Sequence, residues 1–413
     1  MPRENVAVAI ALIIFALTYV LIAARSLSLL RIGRPAGALV GAVAMVVFGV
    51  LAPAEAYAFV DLRTIVLLFS MMVISGYLQE AGFFGVLGRA TLRGAATPER
   101  LLGSVVWVAG IASAFLMNDT VCLMLTPIVG ALTVTLGLEP LPFLLALATS
   151  ANIGSVATLA GNPQNMLIGT ASLIPYRDYL AVMGPVALLC LAANHGLLHL
   201  VFRKGLRRRK GTGDDLAPKV IRRGLMIRSM TALLGVVAAW MLGADLAFAA
   251  LAGAAFLILS TRLSPRRVFH RLDWSLLVFF GALFVVVGGV EKVGAVAVLR
   301  DYLPAGTKMS GLAGFSFLSV LGSNLFSNVP FVLVAGKWVS GMPEARLHWY
   351  LLALTSTFAG NLTLVGSMAN LIVAQLSRDV HVMGFREYTR YGILITAVTT
   401  VLGVAYLVAV FAW

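Results

Sequence analysis

Charge is what this sequence has least of. Only 12% of its 413 residues are Asp, Glu, Lys or Arg, and the acids number 17. A soluble domain carries about a quarter charged residues, so an ordinary soluble fold is excluded. A hydrophobic content of 60% and a mean hydropathy of +0.96 exclude a disordered chain. Cysteine is scarce as well. Cys122 and Cys190 both lie inside apolar runs, which leaves no disulfide framework and no zinc pattern. There is no nucleotide-binding P-loop, no HExxH metalloprotease helix and no GxSxG elbow. The chain therefore reads as no enzyme, with no cofactor. Its energy must come from an ion gradient, with protons the expected ion, or from an external ATPase subunit. The N-terminus has a thin charged region and no clear small-residue cleavage site, so it reads as a first transmembrane helix rather than a removed signal.

What is present is apolar runs. They fall at about 6–24, 36–53, 62–79, 102–138, 142–170, 178–201, 226–243, 246–261, 274–290, 310–341, 350–376 and 388–412. Each span needs about 20 mostly apolar residues, and a lipid-spanning backbone must satisfy its own hydrogen bonds. The chain is thus expected to be an all-α polytopic membrane protein. Run 102–138 carries Asn118-Asp119-Thr120 in its middle, and run 310–341 carries Ser323-Asn324 and Ser327-Asn328. Each reads as two short helices around a polar tip, a re-entrant hairpin. With both hairpins returning to their own side, 23 of the 31 positive residues share one side, including Arg25, Arg31, Arg34, Arg89, Arg93 and Arg100. Arg3, Arg63, Arg177, Lys292, Arg300, Lys308, Lys337 and Arg346 lie opposite. The positive-inside rule names the first side cytoplasmic, in a bacterial-type inner membrane. The positives sit in short loops, so their role is topology rather than nucleic acid. The basic loop has room for an ATPase subunit to dock, and a homodimer is compatible with the chain.

The chain repeats itself. Thr158-Leu159-Ala160-Gly161-Asn162-Pro163-Gln164-Asn165 is echoed by Thr363-Leu364-Val365-Gly366-Ser367-Met368-Ala369-Asn370 at an offset of 205. Asn118 is echoed by Asn328, and Asp61 and Glu80 bracket a span as Asp273 and Glu291 do. Each half has five crossings, one of them interrupted, and one hairpin. An odd number of crossings inverts the second copy, the architecture of many secondary transporters. The first inverted repeat is 1–202, with its hairpin at about 102–138 and its interrupted helix at about 142–170. A basic cytoplasmic linker follows at 203–225. The second repeat is 226–413, with its hairpin at about 310–341 and its interrupted helix at about 350–376.

Helices broken at mid-membrane expose N–H groups at one end and C=O groups at the other, which hold polar solutes without a full charge in lipid. Gly154, Gly161, Pro163, Gly169, Gly360 and Gly366 supply breakers. Around them Asn118, Asn152, Asn162, Asn165, Asn328, Asn361 and Asn370, with Thr120, Thr158, Thr363 and Ser367, form a set of neutral donors and acceptors. Some of these amides glue helices together; about half are expected to face the solute. Asn324 either joins them or caps its hairpin. Asp119 is an acid in a deep apolar context, which marks a functional site. It is suited to taking up and releasing a proton, and the second half has Val329 in its place, so one proton site is expected. Cys122 reads as a packing residue. His195 and His199, one turn apart, lack the further ligands that a metal needs.

These motifs resemble the ion transporter superfamily. The resemblance rests on the Asn-Asp-Thr hairpin, on residues 150–165, on the Ser327-Asn328-Val329-Pro330 tip and on residues 360–367. That group includes ArsB-type arsenite permeases, divalent-anion:sodium symporters and NhaD-type antiporters. The resemblance implies scaffold and transport regions and elevator-like alternating access. The symporters' Ser-Asn-Thr tips are broken here in both halves, and an acid beside an anion site would repel the anion. The chain therefore looks most like the ArsB branch, which exchanges neutral As(OH)3 or Sb(OH)3 for protons, with an inorganic- or organic-anion symporter as the alternative.

Overall fold

The computed structural model describes residues 2–24, 33–92, 97–203, 206, 221–295, 308–342 and 344–411. Among these residues there are nineteen α-helices and no strand. Seven helices are long and apolar enough to cross a membrane. Much of the expected linker, and Arg25, Arg31, Arg93 and Arg300, lie outside the described residues.

The first half contains α1 (Pro2–Ala24), α2 (Arg34–Val47), α3 (Pro53–Ala58), α4 (Leu62–Ala81) and α5 (Phe83–Leu92). The first hairpin is α6 (Pro98–Phe115) and α7 (Asn118–Thr135). The interrupted span is α8 (Pro140–Ser155) and α9 (Pro163–Ser172), closed by α10 (Tyr176–Phe202). The second half repeats the order. It runs through α11 (Arg223–Met241), α12 (Leu246–Ser260), the short α13 (Pro265–Phe269) and α14 (Trp274–Lys292). The second hairpin is α15 (Met309–Phe326) and α16 (Asn328–Val339). The second interrupted span is α17 (Ala345–Ala359) and α18 (Met368–Leu376), closed by α19 (Phe385–Phe411).

Local chemistry sets the ends of these helices. Asp61 caps α4 by accepting from Arg63 N, and Asp273 caps α14 by accepting from Leu276 N. Pro stands at the first positions of α2, α6, α8 and α9, where its missing N–H costs nothing. Run 36–53 is not one helix. α2 stops at Val47 because Gly49 turns the chain at φ +73° and Pro53 starts α3. The hairpin turns are tighter than the polar motifs suggest. The first turn is Leu116-Met117, so Asn118 already opens α7, and the second is Ser327 alone, at φ +74°.

Packing follows the repeat and crosses it. α4 of the first half packs against α11 and α12, while α14 of the second packs against α1 and α2. Likewise α7 packs against α18, and α16 against α9. This reciprocal exchange is what two intertwined copies of one unit require. The hairpin turns lie level with the breaks in the interrupted spans. Asn118 N donates to Gly161 O at 3.0 Å, and Asn324 Nδ2 donates to Ala359 O at 2.8 Å. Both hairpins therefore turn back at mid-depth.

Ion pairs sort by the two sides read from the sequence. Buried Glu80 receives Arg222, Arg267 and Arg271 at 3.6, 3.1 and 2.9 Å, all from the basic side. Opposite, Lys292 pairs with Glu55, Lys337 with Glu291, Arg346 with Asp178 and Arg63 with Asp245. Among the described residues no ion pair joins one set to the other.

Close approach of the first hairpin to α8 depends on glycine. A Cβ on Gly154 would stand 2.0 Å from Gly110 O, a backbone atom that cannot rotate away. Overpacking of this kind costs about 1–3 kcal/mol. Gly154→Ala is expected to lower the thermal midpoint of the detergent-purified protein. Gly235→Ala, with nothing within 4 Å of its Cβ, should not.

Candidate functional site

The two breaks are sealed by the same chemistry. In the first, Asn165 Nδ2 donates to Ser155 O and Thr158 O, both at 3.1 Å. In the second, Asn370 Nδ2 donates to Gly360 O at 2.7 Å and Thr363 O at 3.1 Å. Donor and acceptors match at the offset of 205. Each amide answers carbonyls that the helix end leaves orphaned. The caps match too: Asn162 accepts from Asn165 N at 2.8 Å, and Ser367 from Ala369 N at 3.2 Å. Thr158 Oγ1 donates to Ala114 O in the first hairpin, and Thr363 Oγ1 to Asn324 Oδ1 in the second.

Asn152 joins the halves. Its Oδ1 accepts from Asn118 Nδ2 at 2.9 Å and from Ser367 Oγ at 3.0 Å. Its Nδ2 donates to Asn361 Oδ1 at 2.8 Å and to Asn370 Oδ1 at 3.1 Å. Asn361 also donates to Thr149 O. The Asn328 amide, oriented by its neighbours' carbonyls, donates to Ser356 O and Gly366 O at 3.3 and 3.2 Å.

A cavity of about 340 Å³ lies where the hairpin turns meet the breaks. Asn118 and Asp119 reach it from α7, Pro163 and Gln164 from α9, Ser327 and Asn328 from the second hairpin, and Ser367 and Met368 from the head of α18. Arg34 at the start of α2 and Asp273 and Ser275 at the start of α14 complete the wall. Six helices thus present their N-terminal ends to one space, an electropositive surround for oxygen atoms. Two carboxylates and one guanidinium stand within it, and Arg34 Nη1 lies 3.2 Å from Met368 Sδ. A second cavity of about 160 Å³ shares Asp119 and Asp273 and is lined also by Thr120, Ser75, Gln79 and Arg271, toward the basic end.

Of the residues singled out from sequence, the larger cavity holds Asp119, Asn118, Asn328 and Ser367, and the smaller one Thr120. Asn152, Thr158, Asn162, Asn165, Asn361, Thr363 and Asn370 do not line either. Their hydrogen bonds are spent on the breaks and on one another. Gly154 likewise serves hairpin packing rather than a break. Cys122 is fully buried and lines neither cavity. His195 and His199 line a separate groove with Glu99 and Arg100, and among the described residues no three His, Cys, Asp or Glu group together as for a metal. Sequence reasoning missed Arg34, Gln164 and Asp273 as cavity residues. Gln164 sits inside the repeated motif and Asp273 matches Asp61, so both carried a signal. Arg34 carried only Pro35 after it, the mark of a helix start.

With this geometry in place, residues 10–359 match the family described as CitMHS, citrate transporter. The chain belongs to the CitMHS family. It is a secondary transporter of the ion transporter superfamily and a multi-pass membrane protein; the family and its relatives are transporters, not enzymes. It is 34% identical over 92% of its length, and 93% of the relative's, to the silicon efflux transporter LSI3 of Oryza sativa. It is 28% identical to a transporter named arsB from Dictyostelium discoideum, covering 92% of this chain and 88% of that one. An uncharacterized transporter of Mycobacterium tuberculosis matches at 30% over 96% of this chain and 97% of its own. The fold is shared with the crystal structure of the Alcanivorax borkumensis YdaH transporter. That likeness has a TM-score of 0.62 at 13% identity and covers 99% of this chain and 98% of that one.

Removing either sealing amide strands one buried carbonyl, Ser155 O or Gly360 O, while Gly161 N and Gly366 N still reach Thr158 O and Thr363 O. Each stranded group costs about 1–3 kcal/mol. Asn165→Ala and Asn370→Ala are each expected to lower the thermal midpoint by a similar amount. A large loss in one and none in the other would separate the two breaks.

Proposed function

We propose that this carrier exports neutral trihydroxides of trivalent arsenic and antimony in exchange for protons, across a bacterial-type inner membrane. The observation that carries the reading is the charge of the cavity: among the described residues, Asp119 and Asp273 stand against Arg34. With both acids ionised, a polyanion would enter a space already holding net negative charge and would compete with those carboxylates for the helix N-termini. A small neutral hydroxide fits the same wall. Its oxygens accept from backbone N–H groups, Ser327 and Gln164, and its O–H groups donate to amide oxygens and to a carboxylate. No thiol lines the space, so the solute is held through oxygen and is released readily. The relatives named for silicon efflux and for arsB agree with a hydroxylated solute, and silicic acid is a further solute to try.

Proton exchange falls to Asp119. Among the described residues its carboxylate accepts no hydrogen bond, and it stands on the first hairpin, lining both cavities. Proton loss gives the solute an acceptor, and proton gain withdraws it, so proton and solute alternate at one place.

The second reading is a sodium- or proton-coupled anion symporter. It is favoured by the family description, by Arg34 and by the converging N-termini.

One neutral solute moving against one proton carries current. In proteoliposomes, arsenite or antimonite is expected to evoke current and proton movement in the wild type and neither in Asp119→Asn. A response to citrate or sulfate, with none to arsenite, antimonite or silicic acid, would replace this reading with the anion symporter. Current persisting in Asp119→Asn would keep the solute and remove Asp119 from the proton's path.

A further inference from the structure

The halves match in sequence at Asp61 and Asp273, yet the structure uses the two acids differently. Both cap a helix, α4 and α14. Asp61 does more. Its Oδ2 accepts from Thr64 Oγ1 at 2.5 Å and from Thr170 Oγ1 at 3.2 Å, so its carboxylate is tied to α9. Asp273 makes one side-chain hydrogen bond among the described residues, the cap bond from Leu276 N to Oδ1 at 3.2 Å. Its side chain lines both cavities together with Asp119.

The two acids also stand on different parts of the molecule. Asp119 is on a hairpin that packs against the interrupted spans, whereas Asp273 heads α14, which packs against α1 and α2. The smaller cavity passes from Asp119 along Asp273 to Gln79 and Arg271, beside the arginines that surround Glu80. The charged groups facing Asp273 are Asp119 from α7, Arg34 from α2 and Arg271 just before α14.

We propose that Asp273 is the second acid of the proton's path, receiving the proton of Asp119 and passing it to water at the basic end. The O–H bond of the Asp119 carboxyl breaks, directly or through a water, and an O–H bond forms on the Asp273 carboxylate. Asp273 then releases the same proton to water in the smaller cavity. Arg34 balances the carboxylate left on Asp119, which is now ready to accept a hydroxyl of the solute. Asp273 is a proton-handling residue for the exchange proposed above, and the inference rests on that reading.

Asn caps a helix as well as Asp does, so Asp273→Asn keeps the start of α14 and removes the carboxylate that takes the proton. Two assays in proteoliposomes separate the roles. Exchange of labelled for unlabelled arsenite at equal concentrations uses only the solute-loaded carrier and needs no proton release. Net arsenite flux driven by a proton gradient needs it. Asp273→Asn is expected to lose at least about tenfold more in net flux than in exchange, with Asp273→Glu recovering most of the net flux. Equal loss of exchange and net flux in Asp273→Asn, or full retention of both, would overturn the proposal. Absence of arsenite exchange in the wild type would sink the solute reading instead. The same two assays, run on whichever solute the wild type does exchange, then decide Asp273 by the same criteria.

Discussion

The fold depends on one constraint: two helices end at mid-depth in a low-dielectric interior, and their terminal carbonyls must find donors there. Water cannot serve them, and each unanswered group would cost as much as a large core mutation. Asn165 and Asn370 meet that demand in the two halves with the same geometry. An amide is suited to the task because it offers two donors and no net charge. Once those carbonyls are sealed, the following helices can begin at Pro163 and Met368, capped by Asn162 and Ser367, with their first residues bordering the cavity. The polar floor of the cavity is therefore a by-product of closing the breaks.

That division explains the polarity of the site. Carbonyl ends are buried and answered by protein, while the N-terminal ends of the helices border the cavity. Asp119 and Asp273 stand where six N-termini converge, and this surround offsets the cost of placing acids so deep. The same surround would welcome an anion if the acids were absent. On the proposed reading, the choice between neutral and anionic cargo turns on two side chains laid on a shared scaffold.

The broad plan was legible in one dimension. Hydropathy and charge bias gave the span order, and the offset of 205 gave the two halves, because the lipid interior constrains both strongly. The site was legible only in part. Asn118, Asn328 and Ser367 do reach the cavity, but Asn165 and Asn370 belong to the same motif and point the other way. Sequence cannot tell a buried amide that answers a carbonyl from one that meets a solute. Arg34 was counted as a topological charge, which assumes that a helix start lies at the membrane surface. With 14 residues, α2 is only about 21 Å long. Its first residue therefore stands at depth, where a charge acts on the site.

The repeat also makes the conformation readable. If both halves held identical surroundings, the molecule would be symmetric and closed or open equally on both sides. It is neither. α4 packs against α9, fastened by Asp61, Thr64 and Thr170, whereas its counterpart α14 packs against the second arm of the second hairpin. Asp273, the mate of Asp61, faces open space instead. Asp61 thus fastens α4 to α9, while Asp273 is left to line the two cavities. Exchanging the surroundings of the two halves would reverse this and cost little, because the same kinds of contact are made in both arrangements. An inverted repeat supplies two states of similar energy from one set of interactions. A carrier that must expose one site to each side in turn needs that near-degeneracy, and here it follows from the duplication itself.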